Sequence, residues 1–256
     1  MNYNGNRGLV VFDYNKSLTG EGNVPPQPEA VEALRIYSRR FPTGKIGIAT
    51  GRSHKDIISQ LKDVGLDRLP QIKFIVGEHG GVIYYLEDGS VVYRVDKDPV
   101  RELTYTFVRR MKNRNGYIIE GKETALSVDV RDKSEFLYVE KLLGEIISDG
   151  GNLPFRVVTS DNRFVEAVLS SLDDGEGRGK VSALEDAQVN WESMAYFGDG
   201  LNDRGPIKRV KVPGCPSNAN PRLIEDVKMN PYGIAAPEPE GRGALYFVRE
   251  LIAMVQ

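Results

Sequence analysis

Short apolar runs alternate with helix-like segments in the first third of the chain. The runs GLVVF, KIGIAT and KFIVG have the length and composition of buried strands. Between them, apolar residues recur every three or four positions, as at Val31, Leu34 and Tyr37, which predicts helices. Strands that alternate with helices form a parallel sheet, so this part of the chain predicts an α/β domain.

From about Val82 the pattern changes to pairs of β-rich runs. VIYYLEDGSVVYRV predicts a hairpin, and GYIIEGKETALSVDVR, FRVVTS and RFVEAVL predict further strands, with a helix over SEFLYVEKLLGEIISDGG. The α/β alternation then returns with a short helix, the strand SMAYFGD and a final helix over GALYFVRELIAMV. We therefore predict one α/β core formed by residues 1–81 and 171–256, and an inserted α+β domain over residues 82–170.

Composition narrows the class of protein. The 256 residues are 40% hydrophobic, and 34 basic residues nearly balance 36 acidic ones, so no strong field favours nucleic acid or an anionic membrane. The polar start MNYNGNRG lacks the apolar core of a secretory signal, and we expect a cytoplasmic protein with small-molecule partners. Cys215 is the only cysteine, so an intrachain disulfide is excluded and the thiol is expected to be inert packing.

Two predicted strands each end close to a carboxylate. Asp13 follows VVF and Asp199 follows AYFG, so both are expected at the carboxyl edge of the sheet, where open α/β sheets bind ligands. Carboxylate oxygens at one edge suit Mg²⁺. Thr50, Gly51 and Arg52 are predicted to lie in the turn between the second strand and its helix.

These residues belong to four ordered motifs that resemble the haloacid dehalogenase superfamily of phosphotransferases. DYNKSL is similar to its first motif, Asp-x-Asp-Gly-Thr-Leu, and supplies Asp13; ATGRS is similar to its second and supplies Thr50. KVSAL opens a helix with Lys180 as in the third, and GDGLND is similar to the fourth, with Asp199 and Asp203. The resemblance covers nearly the whole chain and implies a Rossmann-like parallel-sheet core with a C2-type cap.

The resemblance also implies roles for the motif residues. Asp13 would attack phosphorus to form an aspartyl phosphate, and Thr50 and Lys180 would hold the phosphoryl group. The Mg²⁺ ligands would be Asp13, the backbone carbonyl of Asn15, and Asp199. Asp203 would position the metal shell or Lys180.

The first motif departs from the family at three positions. Asn15 stands where the family has the acid that protonates the leaving oxygen, and Lys16 and Ser17 replace Gly and Thr. An amide cannot exchange a proton at neutral pH, so turnover is expected to be slow. A slow Mg²⁺-dependent sugar phosphatase and a non-catalytic phosphosugar-binding or regulatory protein both remain open, and Asn15 is either natural divergence or a deliberate change. A nicotinamide oxidoreductase is disfavoured, because no Gly-x-Gly-x-x-Gly follows the first strand.

Further segments resemble trehalose-6-phosphate phosphatases, including GEHGGVI and the Glu-x-Lys within IIEGKETALSVDVR. In that family the cap closes over small substrates and determines specificity, so these cap residues are expected to contact the sugar. The alternative is that they form a charged hairpin exposed to water, which would have a similar sequence. Asn202 is closer to Cof-type, sucrose-phosphate and mannosyl-phosphoglycerate phosphatases, so the sugar stays open, as does the oligomeric state. His79 is expected to be structural, with a contact to the cap as the alternative. The residues predicted to bind substrate are Gly51, Arg52, Glu120, Lys122, Arg131 and Asn202.

Overall fold

The computed structural model describes residues 8–20, 24–112, 114–150, 153–160, 163–172 and 175–255. The strands are β1 (Leu9–Asp13), β2 (Lys45–Ala49), β3 (Ile72–Gly77), β4 (Val82–Tyr85), β5 (Val91–Tyr93), β6 (Tyr117–Ile119), β7 (Ala125–Val130), β8 (Phe155–Ser160), β9 (Phe164–Leu169), β10 (Met194–Phe197), β11 (Val212–Cys215) and β12 (Ile234–Ala235). The helices are α1 (Pro28–Arg40), α2 (His54–Asp63), α3 (Asp98–Met111), α4 (Lys133–Asp149), α5 (Arg178–Asp186), α6 (Arg204–Ile207), α7 (Pro221–Met229) and α8 (Glu240–Ala253).

The larger sheet has eight strands in the order β12-β11-β10-β1-β2-β3-β4-β5. The strands from β12 to β3 are parallel, which confirms the predicted α/β core. β1 lies in the middle and alternates its side chains between two apolar layers: Val10 and Phe12 pack with α1, α2 and α8, whereas Leu9 and Val11 pack with α5 and α7. Burial on both faces explains why this strand is a continuous apolar run.

The second sheet has four strands in the order β6-β7-β9-β8, and all of its neighbouring pairs are antiparallel. Its apolar side chains form a separate core with those of α3 and α4. This is the α+β insert that the sequence predicts, and it carries its own hydrophobic core as a cap domain requires.

The hairpin β4–β5 corrects the predicted boundary of the insert at residue 82. β4 pairs antiparallel with β3, so the hairpin extends the larger sheet and is not part of the second one. A hairpin pattern is local and does not specify which sheet edge the hairpin joins. We therefore place the cap at about residues 98–170 and assign the hairpin to the core.

Helix ends follow the local sequence. Ser53 caps α2 by accepting a hydrogen bond from the backbone N–H of Lys55 at 3.3 Å, and Gly65, just beyond the helix, has a φ of 68°. Because Ser53 is the N-cap residue of α2, the helix begins directly after the turn that carries Thr50 and Arg52. Within the described ranges, no helix has the length and apolar composition needed to span a bilayer.

Candidate active site

Lys180 and Asp13 form a buried ion pair at the carboxyl edge of the larger sheet. Asp13 ends β1, between β2 and β10, and Lys180 lies in the first turn of α5. The Lys180 ammonium donates to Asp13 Oδ1 at 2.7 Å and to Asp203 Oδ1 at 2.6 Å, with only 2% of the lysine exposed. A buried ammonium needs such partners, so its placement beneath both carboxylates is strongly determined.

Asp203 holds this ion pair to the loop that follows β10. Its Oδ1 also accepts the hydroxyl of Tyr196 at 2.6 Å. Its Oδ2 accepts the backbone N–H groups of Asp199 at 3.2 Å and Gly200 at 3.0 Å. Four hydrogen bonds thus join this carboxylate to Lys180, Tyr196 and the Asp199 loop, while its role in positioning Lys180 or the metal shell stays a prediction.

The acidic residues at this edge fit a divalent cation. Asp13, Asp199 and Asp203 each bring a carboxylate oxygen within 4.8 Å of the others. Burial, together with the charge of Asp203 and against the attraction of Lys180, raises the pKa of Asp13 to about 7. Burial and the charges of Asp13 and Asp203 also raise the pKa of Asp199 well above its usual range. A site that resists further negative charge in this way would be relieved by Mg²⁺, which prefers oxygen ligands.

Thr50 lies opposite, directly after β2, and is 1% exposed. Its Oγ1 accepts the backbone N–H of Arg52 at 3.1 Å, so its own hydroxyl proton stays available for an acceptor. Its backbone N–H donates to Val76 of the neighbouring strand at 2.8 Å. The backbone of Thr50 is therefore fixed by the neighbouring strand, and the residue lines the cavity at this edge of the sheet.

The loop that follows Asp13 is held by its own turn and by neighbouring loops. Asn15 Oδ1 accepts from Nε of Arg52 at 2.6 Å, and the Ser17 hydroxyl donates to Asp199 Oδ1 at 3.4 Å. Lys16 has a φ of 54°, in the left-handed region that favours glycine. The three departures from the family motif thus all lie at the site itself.

A cavity of about 430 Å³ extends from these residues to the cap. On the cap side, Lys122 forms ion pairs with Glu166 and, at 3.4 Å, with Glu120. His79 Nε2 lies 3.1 Å from Glu166 Oε2, so the core and the cap meet in one charged network. Burial alone would raise the pKa of Glu166, but the charges of Lys122 and His79 outweigh it and lower this pKa, so Glu166 is ionised.

The structure brings most of the predicted site residues together. The predicted residues that line the cavity are Asp13, Asn15, Thr50, Gly51, Arg52, Glu120, Lys122, Asp199 and Asn202. Lys180 and Asp203 lie buried behind Asp13. Arg131 does not line the cavity: it is exposed, one residue beyond β7, and its backbone N–H donates to Gly116.

The sequence pattern missed other residues of the cavity. Glu166 is central to the cap network, and Lys16 and Arg156 also line the space. A signal for Glu166 was present, since it is the one charged residue in the apolar run FVEAVL. His79 makes the contact to the cap that was the alternative to a purely structural role.

Solved structures match this chain along almost its whole length. A haloacid dehalogenase-like hydrolase from Bacteroides thetaiotaomicron has a TM-score of 0.72 at 17% identity, covering 96% of this chain and 99% of that one. A sucrose-phosphatase from Synechocystis, in complex with sucrose and phosphate, has a TM-score of 0.61 at 18% identity, covering 97% and 98%. A trehalose-6-phosphate phosphatase related protein has a TM-score of 0.66 at 15% identity, covering 96% and 97%.

No protein-family model and no curated protein sequence matches the chain. The likeness therefore lies in the arrangement of the strands and helices, since the sequence identity to these structures is only 15–18%. In both the parallel core and the inserted cap, this chain has the fold of the haloacid dehalogenase-like hydrolases.

Proposed function

We propose that this protein is a Mg²⁺-dependent phosphatase that hydrolyses a phosphorylated sugar through an aspartyl phosphate. The observation that carries the proposal is the buried Lys180, which bridges Asp13 and Asp203 directly behind the cavity. A buried ammonium beside the proposed nucleophile supports the proposal, because phosphoryl transfer needs positive charge close to the transferred group. The sugar-phosphatase neighbours have the same fold and support the same class of reaction.

In the proposed reaction, the carboxylate of Asp13 attacks phosphorus. Lys180 holds Oδ1, so we assign Oδ2 as the attacking atom. Thr50 donates its hydroxyl proton to a phosphoryl oxygen, and Lys180 offsets the charge that develops on the group. Mg²⁺ held by Asp13, Asp199 and the Asn15 carbonyl would supply further positive charge to the phosphoryl oxygens.

Asn15 determines the speed of the proposed reaction. When the bond from phosphorus to the leaving oxygen breaks, that oxygen keeps the electron pair and takes its proton from solvent, because the amide cannot give one. A water molecule then hydrolyses the aspartyl phosphate without a carboxylate base at residue 15. General acid–base catalysis contributes roughly 10²–10⁴ in rate, so we expect a slow enzyme that works best on good leaving groups.

In this proposal, the charged network on the cap side of the cavity binds the sugar and discriminates between sugars. Glu120, Lys122 and Glu166 present charged acceptors and donors to the cavity, with the His79 ring beside them, which suits a ligand rich in hydroxyl groups. A volume of about 430 Å³ is within the usual range for small-ligand pockets, roughly 300–1,000 Å³. The sucrose bound to the Synechocystis protein supports a sugar as the ligand class.

The test is release of phosphate from a panel of phosphorylated sugars with Mg²⁺ and with EDTA. Asp13→Asn should abolish release, whereas Asp98→Asn, at a side chain that is 79% exposed, should not change it. Activity that survives Asp13→Asn would reject the aspartyl phosphate. Glu120→Ala or Lys122→Ala should weaken sugar phosphates more than a small aryl phosphate, because the aryl compound has no hydroxyl groups to lose.

A second candidate is a phosphosugar-binding protein without turnover. The observation that favours it is the hydrogen bond from Arg52 to Asn15, because an amide held by Arg52 stands at the position where a phosphatase of this kind would have its acid. The variant Asn15→Asp, Lys16→Gly, Ser17→Thr separates the two candidates. For an enzyme, we expect turnover on alkyl phosphates to rise at least about tenfold, a fraction of the 10²–10⁴ range for acid–base catalysis. If the triple variant folds and binds Mg²⁺ but releases no phosphate from any sugar phosphate tested, we would abandon the slow enzyme in favour of the binding protein.

A further inference from the structure

We propose that Arg52 is a positioning residue that fixes the side-chain amide of Asn15, so that Nδ2 of Asn15 faces the substrate as a hydrogen-bond donor. The inference rests on the proposed function, which is hydrolysis of a phosphorylated sugar. Asn15 then acts as a hydrogen-bond donor where the motif it resembles has a proton-donating acid, and this difference predicts which substrates are favoured.

The orientation of the amide follows from the chemistry of its partner. Nε of Arg52 lies 2.6 Å from Oδ1 of Asn15. A guanidinium group has only N–H donors and no acceptor, so the amide atom that faces it has to be the oxygen. The opposite orientation would place an NH₂ group against an N–H group. The NH₂ of Asn15 is therefore turned away from Arg52.

Arg52 itself is held firmly enough to impose this orientation. It is 8% exposed, its backbone N–H donates to Thr50 Oγ1 at 3.1 Å, and its carbonyl accepts the N–H of Glu78 at 2.9 Å. Thr50 directly follows β2, which pairs with the strand that ends in Asp13, and Glu78 directly follows β3, the next strand of the sheet. The backbone of Arg52 is thus fixed relative to the nucleophile, its side chain is largely buried, and Asn15, Arg52 and Asp13 all line the same cavity.

A fixed NH₂ group and a carboxylic acid act differently on a leaving oxygen. The amide donates a hydrogen bond to the oxygen as its negative charge develops, but it keeps its protons. The bond between Asp13 and phosphorus forms, the bond to the leaving oxygen breaks, and the electron pair and charge stay on that oxygen. This arrangement favours phosphorylated sugars whose leaving oxygen is stable as an anion, such as an enol-like or carboxyl oxygen, over sugars that carry the phosphate on an ordinary hydroxyl group.

The kinetic test is a double-mutant cycle of Arg52→Met and Asn15→Ala, measured with Mg²⁺ on aryl phosphates whose leaving groups differ in pKa. Asn15→Ala should lower kcat on the order of 10²-fold for the poorer leaving groups, the usual loss for one donor to a developing charge. It should also steepen the dependence of kcat/KM on the leaving group. Arg52→Met should make the dependence of kcat/KM on the leaving group steeper as well. In the Asn15→Ala background, Arg52→Met should leave that dependence unchanged.

Two variants sharpen the cycle. Arg52→Lys retains a donor without an acceptor and should restore part of the wild-type dependence. Arg101→Met, at a side chain that is 70% exposed, should behave as wild type. Equal effects of Arg52→Met with and without the Asn15 amide would mean that Arg52 acts on the substrate directly, and would overturn the proposal.

An NMR measurement tests the orientation without turnover. The side-chain NH₂ signals of Asn15, assigned by their loss in Asn15→Ala, are followed as inorganic phosphate is added with Mg²⁺; one phosphate oxygen replaces the leaving oxygen. We expect phosphate to shift these signals in the wild type and in Arg52→Lys, but not in Arg52→Met. Shifts without turnover on any substrate would reject the proposed function and support the amide assignment. Signals that phosphate leaves unchanged in the wild type, while it shifts backbone signals at Thr50, would overturn the assignment.

Discussion

The repulsion among the carboxylates at the sheet edge gives a quantitative prediction for Asp199→Asn. Two unit charges 4.8 Å apart, the limit that contains the ligand atoms of Asp13, Asp199 and Asp203, repel by about 3 kcal/mol at an effective dielectric constant of ~20. Lys180 offsets part of this, and a buried carboxyl can take up a proton instead of remaining charged. We therefore expect Asp199→Asn to stabilise the metal-free protein by about 1–2 kcal/mol, which is a rise in Tm of about 2–8 °C for a chain of this size.

Mg²⁺ should reverse this order of stability. A ligand at 100 times its Kd stabilises the folded state by about 2.7 kcal/mol, and Asp199→Asn should lose most of that gain because it removes a charged ligand. Calorimetric unfolding in EDTA and in increasing Mg²⁺ measures both effects on the same samples. Asp98→Asn serves as the control, because its side chain is 79% exposed. A variant as unstable as wild type in EDTA, or as responsive to Mg²⁺, would refute the site.

Three further predictions test the loop, the cap network and the core. Lys16→Gly should raise the free energy of unfolding by about 0.5 kcal/mol in urea, since removal of the left-handed penalty of ~1–2 kcal/mol exceeds the entropy cost of glycine, and Lys16→Ala should not. The lowered pKa of Glu166 means that the stabilisation it contributes is present above its unfolded pKa near 4.5 and is lost as the pH falls below that value. The urea midpoint of the wild type should therefore decrease with falling pH in this range, and Glu166→Gln should make that decrease smaller. An equal decrease in the variant would contradict this. Burial raises the pKa of Cys215 to about 12, so iodoacetamide should modify it only in the unfolded protein, as mass spectrometry would show.

Local sequence signals predicted the parts of the fold in which local and tertiary preferences agree. The parallel strands β1, β2, β3 and β10, the antiparallel strands of the cap and the Ser53-capped start of α2 all follow patterns that span only a few neighbouring residues. The sequence pattern did not predict the elements between Asp203 and α8, which are α6, β11, α7 and β12. β11 reads VPGC, in which Pro213 and Gly214 would ordinarily argue against a strand. It is a strand because β10 and β12 flank it in the sheet, a tertiary cause that its own residues do not encode.

The same limit applies to the site. Asp13, Thr50 and Asp199 could be predicted as neighbours because each follows a parallel strand, and the carboxyl ends of such strands lie at one edge. The cap residues offer no equivalent rule, since their position over the core depends on how the two domains pack. Arg131 was predicted from a short motif and lies outside the cavity, whereas Glu166, on a strand that reads as apolar, lies inside it.

The loop after Asp13 contains a left-handed turn at Lys16 that is held by contacts with its neighbours. Lys16 keeps a left-handed backbone that glycine would adopt without penalty, so contacts around the loop must hold the turn in place. Those contacts are visible: the carbonyl of Tyr14 accepts two backbone N–H groups at 3.0 and 3.1 Å, and the Lys16 carbonyl accepts Nδ2 of Asn218 at 3.3 Å. With the turn fixed, Asp13 stays at the wall of the cavity, and residue 15 carries an amide where the motif that this loop resembles has an acid. The contacts that hold the disfavoured turn at Lys16 therefore also keep the Asp13 carboxylate in place, which is what the proposed phosphoryl site requires.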